Sequence, residues 1–309
     1  MLRRAARLLL PPSVHGRLRG WAQERVRRRR QGRPPIGERE FACILREELA
    51  LGPGDTVFVH ASLDELHLSF PFYRVLPLLR QAVGPEGTLL FPGTQLVERP
   101  ETWLARGEVF DVRRTPTSMG IVAELARRQP GAVRSAHPTS AVTGLGPRAA
   151  ELLAGHAESV YPWGPGSPLA ALARAGGRIV GIGVGVEVLT FVHCVEDLWG
   201  PRFPVQTRCS RVWEGRVRRA DGRECTVPTL VAHPRIWWRH TPRYVRRHVP
   251  AGVLRSLVLR GAPFYRADAG ALLARMEELA AAGTTIYNRL VYRGSPVDGV
   301  MTWIARRAG

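Results

Sequence analysis

The chain has 309 residues, 45% hydrophobic and 23% charged, with a formal net charge of +19. That is enough to bury one large α/β core or two modest ones, and no apolar run approaches the length of a membrane span. Four cysteines (Cys43, Cys194, Cys209, Cys225) stand far apart with no CxxC pair, which disfavours a disulfide scaffold or zinc module and fits a reduced, cytoplasmic protein.

The positive charge is local. All 45 basic residues are arginine. Residues 1–33 hold eleven arginines and one acid, Glu24, and the stretch between Glu224 and Asp268 holds eight arginines and no acid. The first of these stretches is an amphipathic segment that rests on anionic lipid at the inner membrane face, or else a solvated, disordered arm. Pro11 and Pro12 limit it to two short helices, and it has no secretory signal pattern.

From Gly37 the pattern becomes globular. Glu38 to Leu51 reads as a helix with Phe41, Ile44, Leu45 and Leu49 on one face. Pro53-Gly54-Asp55 is a turn, Thr56 to His60 a strand, Tyr73 to Val83 a helix, and Gly87 to Pro92 a strand. Thr115 to Ser118 should cap a helix from Met119 to Arg128. Ala136 to Leu145 reads as a strand, Pro147 to Gly155 and Leu169 to Ala175 as short helices. Next come a buried strand from Gly177, a glycine-rich turn and a helix opening near Thr190. Arg211 to Pro228 reads as a β-hairpin turning at Asp221-Gly222, and Gly270 to Ala282 as a closing helix. Strands alternating with helices predict a three-layer α/β/α sandwich.

Thr190, His193 and Glu196 recur at three-residue intervals, which puts a hydroxyl, an imidazole and a carboxylate on one helical face. Such a set can accept and steer a proton, with the carboxylate fixing one ring nitrogen so that the other faces a substrate amine. Helices also bring such residues together by accident. Zinc is poorly served, because no second histidine lies nearby. The GxGxG run at Gly181, Gly183 and Gly185 reads as a tight strand-to-helix turn rather than a dinucleotide fingerprint, although its amides could form a small oxyanion site. His60-Ala61-Ser62-Leu63 follows a strand directly, where α/β enzymes gather binding groups. His137-Pro138-Thr139-Ser140 is a second polar cluster, and either one could equally be turn chemistry. No GxSxG elbow and no P-loop are present.

At these residues the chain resembles the aminoglycoside N(3)-acetyltransferases of the antibiotic N-acetyltransferase superfamily. The resembling blocks are GDTVFVHASL, GTLLFPG, FDVRRTPTSMGIVAE, RSAHPTSAVTGLGPRAAELLAGH, YPWGPGSPLAAL and GRIVGIGVGVEVLTFVHCVED, in the family's order over about the middle half of the chain. The resemblance implies a mixed-sheet α/β fold and acetyl-CoA as donor, without a metal. It makes His193 the general base, with Glu196 holding its tautomer and Thr190 beside the thioester. It also implies that His60, Ser62, Leu63, Thr115, Pro116 and Thr117 line the coenzyme A channel, with His137 and Ser140 nearby.

The domain reading is a basic arm over 1–36 and one acetyltransferase domain over 37–309, whose part from 200 onward is the divergent acceptor side, a β-hairpin and helix extension. Members of the family acting on aminoglycosides imply acidic residues after the hairpin; here that region reads HPRIWWRHTPRYVRRHVP, without a carboxylate. A neutral or anionic amine or amino sugar would suit it better than a polycation, with Trp237, Trp238 or Tyr244 offering ring faces. The alternatives are an N-acyltransferase of natural-product or surface-glycan biosynthesis, or a non-catalytic relative that binds a polyanion or membrane. No specific nucleic acid is expected.

Overall fold

The computed structural model describes residues 32–287 except Arg235, Trp237 and Trp238, together with Glu24. The basic arm expected over 1–36 lies almost wholly outside the described residues, as do two of the three proposed aromatic contacts, Trp237 and Trp238. Among the described residues no helix is long and apolar enough to cross a membrane.

The strands of the main sheet are β1 (Thr56–Ala61), β2 (Thr88–Pro92), β4 (Val133–Arg134), β5 (Val142–Leu145), β6 (Arg178–Ile182), β9 (Leu254–Leu259) and β10 (Ala262–Asp268), in the order β4-β5-β2-β1-β6-β10-β9. β2, β1 and β6 run parallel at the centre. β5 and β4 extend one side antiparallel, and β10 and β9 the other. The central strands are apolar at nearly every position, as a sheet covered on both faces requires.

Alternation along the strands sorts the core into two. Val57, Val59, Leu89, Phe91, Val180 and Ile182 face a layer built from helices α1 (Glu38–Cys43), α2 (Val75–Val83) and α4 (Ile121–Arg127). Phe58, Leu90, Ile179 and Tyr265 face the opposite layer, helices α5 (Ala149–Leu153), α6 (Pro168–Arg174), α7 (Val192–Trp199), α8 (Thr241–His248) and α9 (Ala269–Ala281). This is the three-layer α/β/α sandwich with a mixed sheet.

Several elements differ from the sequence reading. The first helix is α-helical only to Cys43 and continues as a π-helical turn over Ile44–Glu48, which still buries Leu45 and Leu49 completely. Helix α4 is not capped by Thr115 to Ser118; its N-cap is Gly120 with no side-chain cap, and the Thr117 amide donates to Glu124 Oε2 at 3.0 Å instead. The strand expected over Ala136 to Leu145 is a turn as far as Ala141 and a strand only from Val142.

The hairpin is real, running over β7 (Arg208–Arg218) and β8 (Glu224–Ala232), but it is not a free extension. β7 pairs in parallel with β3 (Val109–Asp111), and this three-stranded sheet closes with helix α3 (Pro100–Ala105) on a small core of Trp103, Leu104, Phe110, Val217 and Val227. The last two strands likewise join the main sheet rather than the extension.

One cross-strand row bears directly on the site. His60 of β1, Gly181 of β6 and Tyr265 of β10 are register partners on one sheet face. A Cβ at Gly181 would stand 2.1 Å from Cε1 of Tyr265, so the tyrosine ring lies across the glycine toward His60, with ring centroids 6.4 Å apart. Replacing Gly181 by Ala should therefore destabilise the protein by roughly 1–3 kcal/mol, and by much less in a Tyr265→Ala background, as urea midpoints of the two single variants and the double variant would show.

Candidate active site

The parallel strands deliver their carboxyl ends to one edge of the sheet, the place where α/β folds collect functional loops. β1 exits there into Ser62 and Leu63, β2 into Gly93 to Leu96, and β6 into Gly183 to Thr190. Gly183 is left-handed, with φ of 66°, and a Cβ on it would meet the Ser62 carbonyl oxygen at 2.1 Å, so only glycine lets the two loops pass this closely. The Thr115-Pro116-Thr117 loop joins them: Thr117 donates its hydroxyl to the Thr94 carbonyl at 2.8 Å, and Gly120 packs against the Ala61 carbonyl. Ser62, Leu63 and the 115–117 loop are thus brought together from separate parts of the chain. Glu124 anchors the loop through the Thr117 amide, and Arg127 above all, with Thr117 and Arg128, holds its carboxyl down at about 2.

After β6 a 3-10 turn (Val186–Val188) precedes α7, and the helix begins at Val192 rather than near Thr190. Thr190 lies in the connecting turn, half-buried, and its carbonyl accepts the His193 amide at 3.0 Å. The Gly185 amide, a candidate oxyanion donor, is taken by Glu187 Oε1 at 3.2 Å.

His193 and Glu196 are both buried and bonded through Nδ1 and Oε2 at 2.9 Å. The other oxygen, Oε1, accepts the Tyr287 hydroxyl at 2.6 Å. On the far side of the ring, Nε2 lies 2.8 Å from Nη1 of Arg239. A guanidinium only donates, so Nε2 is an acceptor and the ring proton sits on Nδ1, facing the carboxylate. This is the neutral tautomer that a general base needs.

Neither Tyr287 nor Arg239 was singled out from the sequence. Arg239 is 46 residues from its partner and Tyr287 is 91 from its own, so no local spacing could show them. A second missed pair lies next door: buried Asp197 accepts Arg208 through both oxygens, at 2.7 and 2.6 Å, and also the Trp163 amide at 2.8 Å. The adjacent Glu-Asp of the sequence was its only local signal.

The remaining candidates divide. His60 is buried on the sheet face that carries α7; burial pushes it down to about 4, and its Nε2 has no hydrogen-bond partner among the described residues. The Tyr265 hydroxyl in the same row is likewise buried and unpartnered. Buried polar atoms left open in this way are expected where a ligand completes the site.

Both ring nitrogens of His137 have partners. Its Nδ1 accepts the Thr139 and Ser140 amides at 3.3 and 3.1 Å, its Nε2 faces the Thr229 hydroxyl at 3.5 Å, and its ring stacks on His156 at 4.5 Å. Ser140 enters this turn through its amide. Tyr244 packs in the core at 5% exposure, so it offers no open ring face either. Among the described residues no group of three or more His, Cys, Asp and Glu could hold a metal ion.

Fold and site together define an α/β sandwich with a buried histidine–carboxylate pair on the helix that follows β6. The profile of the family described as "Aminoglycoside 3-N-acetyltransferase" matches residues 58–279, and the chain belongs to that family. It is 37% identical over 201 residues to the aminoglycoside N(3)-acetyltransferase VIII of Streptomyces fradiae, an alignment covering 57% of this chain and 68% of that protein. The chain spans about two thirds of the length of the curated relatives it matches. Among solved structures, AAC-VIa bound to sisomicin superposes with a TM-score of 0.67 at 26% identity, over 81% of this chain and 99% of that one. AAC-IIIb in its binary complex with CoASH gives a TM-score of 0.65 at 24% identity, over 81% and 98%.

The paired histidines set an acid limit on the fold. Burial pushes His156 down to about 4, and burial together with the charges of His156 and Arg208 holds His137 well below its ordinary value. Once unfolded, both rings take protons near pH 6.5. Stability should therefore be level above about pH 6.5 and fall steadily toward pH 4, His156 alone contributing a loss of roughly 3 kcal/mol. A urea midpoint unchanged between pH 7.5 and 4.5 would contradict this.

Proposed function

We propose that the protein transfers an acetyl group from acetyl-CoA to the amino group of an amino sugar, with His193 as general base. The observation that carries this reading is the orientation of His193: Nδ1 is committed to Glu196, and Nε2 is an acceptor whose partner is a nitrogen donor at 2.8 Å. A substrate amine would stand where that donor stands.

Acetyl-CoA supplies the acyl group as a thioester, an activated carbonyl. An amine is nucleophilic only when neutral, so the acceptor ammonium first sheds one proton to solvent, and the attacking nitrogen gives a second to Nε2 as its bond to the carbonyl carbon forms and the C–S bond breaks. Glu196 stabilises the resulting imidazolium through Nδ1–H, and the Tyr287 hydroxyl keeps the carboxylate turned toward the ring. His193 then carries the proton to the departing thiolate. His60 Nε2 and the Tyr265 hydroxyl, without partners among the described residues, and the Ser62 hydroxyl on the neighbouring loop suit the amides of a pantetheine arm, beside the Thr115-Pro116-Thr117 loop. Thr190, in the turn one step before α7, would stand beside the thioester. Relatives known as acetyltransferases, and a structural neighbour in complex with CoASH, agree with this donor.

His193→Ala should lower thiol release from acetyl-CoA in the presence of an amine by roughly 10²–10⁴-fold, with coenzyme A binding by calorimetry nearly unchanged. Thiol release at the wild-type rate would rule out His193 as the base. Glu196→Gln keeps the shape but loses the charge that stabilises the imidazolium, and should fall between wild type and His193→Ala.

A further inference from the structure

The Arg239 guanidinium occupies the place that an acceptor amine must take. We propose that Arg239 selects the acceptor: the site favours amines that carry an anionic group, phosphate or carboxylate, within reach of this guanidinium, and disfavours polycationic amines. The proposal rests on the reading of His193 as base.

The placement is built into the backbone. Arg239 forms an antiparallel bridge with Tyr287, and the His240 amide donates to the Ile286 carbonyl at 2.8 Å. Residues opposite each other in such a bridge project to the same side. Here one reaches the imidazole and the other the carboxylate of the same pair. The helix that follows, α8, packs on the 3-10 turn leading into α7, which fixes the segment over the site from its other end.

When an amine arrives at Nε2, the anchored backbone stays and only the arginine side chain swings away. Its charge then needs a new partner close by. Glu196 already accepts Nδ1 on one oxygen and the Tyr287 hydroxyl on the other. Asp197 is spent on Arg208. The covering segment from residue 225 to residue 267 contains no acid, and α8 adds Arg243, Arg246 and Arg247 on its exposed face. An anionic group on the acceptor itself gives this charge a partner, because a guanidinium takes phosphate or carboxylate through two parallel hydrogen bonds. A second ammonium on the acceptor would instead meet like charge.

The test compares kcat/KM for glucosamine, glucosamine 6-phosphate, muramic acid and kanamycin, each with acetyl-CoA, in wild type and in Arg239→Ala and Arg239→Lys. Glucosamine 6-phosphate should exceed glucosamine by roughly 10- to 100-fold, the worth of one charge-assisted contact. Muramic acid, which carries a carboxylate instead, shows whether phosphate is required. Arg239→Ala should bring the ratio to about one, and Arg239→Lys should retain part of it.

A wild-type ratio near one, or kanamycin as the better acceptor, overturns the proposal. So does an Arg239→Ala variant that speeds every acceptor equally, because that makes the arginine a simple plug. If no acceptor is turned over, calorimetric affinities for the same compounds must follow the same order. Failure of the underlying reading looks different: His193→Ala would then release thiol as fast as wild type, whatever the acceptor ratios.

Discussion

The hydrogen bond between Glu196 and His193 is the contact on which the rest of the site depends. A carboxylate removed from water this completely is strongly unfavourable unless both oxygens find donors. Glu196 finds one inside its own helix and the other in Tyr287, far along the chain. Asp197, one position on, solves the same problem with Arg208 and the Trp163 amide. Two consecutive buried acids on α7 therefore tie down two distant segments. One is the 239–287 pairing over the imidazole, and the other is the start of the hairpin that carries the second sheet. The demand of each carboxylate for partners becomes a positional constraint on the polypeptide around it.

The sheet places this helix by a simpler rule. Three parallel strands end side by side, and their exits converge because Gly181 and Gly183 leave room for Tyr265 and for the Ser62 carbonyl. What results is a sheet edge where three loops meet, next to buried polar atoms without partners among the described residues, His60 Nε2 and the Tyr265 hydroxyl among them. Rigid placement matters for acyl transfer, where the base, the amine and the carbonyl carbon must line up together. The His137–His156 stack, with its ring nitrogens hydrogen-bonded, lies between the two sheets, where Nε2 of His137 meets Thr229 of β8.

Much of this was legible in the sequence, for a physical reason. Local periodicity and turn residues report local structure, so the central strands, α2, α6, α9 and the hairpin fall close to where the pattern puts them. The His193–Glu196 contact is also local, three residues apart on a helix. Thr190 shows the limit: the three-residue interval continues past the helix start, yet the residue sits in a turn and meets His193 through its carbonyl. The π-helical turn after α1 keeps an apolar face that reads as plain α-helix. Tertiary pairing is not encoded in any window, so β9 and β10 joining the main sheet, β3 joining the hairpin, and Arg239 on His193 were beyond local reading. The basic stretch gave the right sign of charge at the site but not the residue that brings it there.

The identity of that residue has a chemical consequence. A cation that rests on a general base beside an activated acyl group must not itself be acylated. A lysine at this position would give up its proton to Nε2 and become the nucleophile the site is built to activate. An arginine donates the same hydrogen bond while staying charged across the physiological range, with no lone pair free to attack. The chain has no lysine anywhere, so no side-chain amine of its own competes for the acyl group. Whatever produced that composition, the group on His193 Nε2 is a guanidinium, which keeps the ring proton on Nδ1 and has no lone pair with which to attack an acyl group.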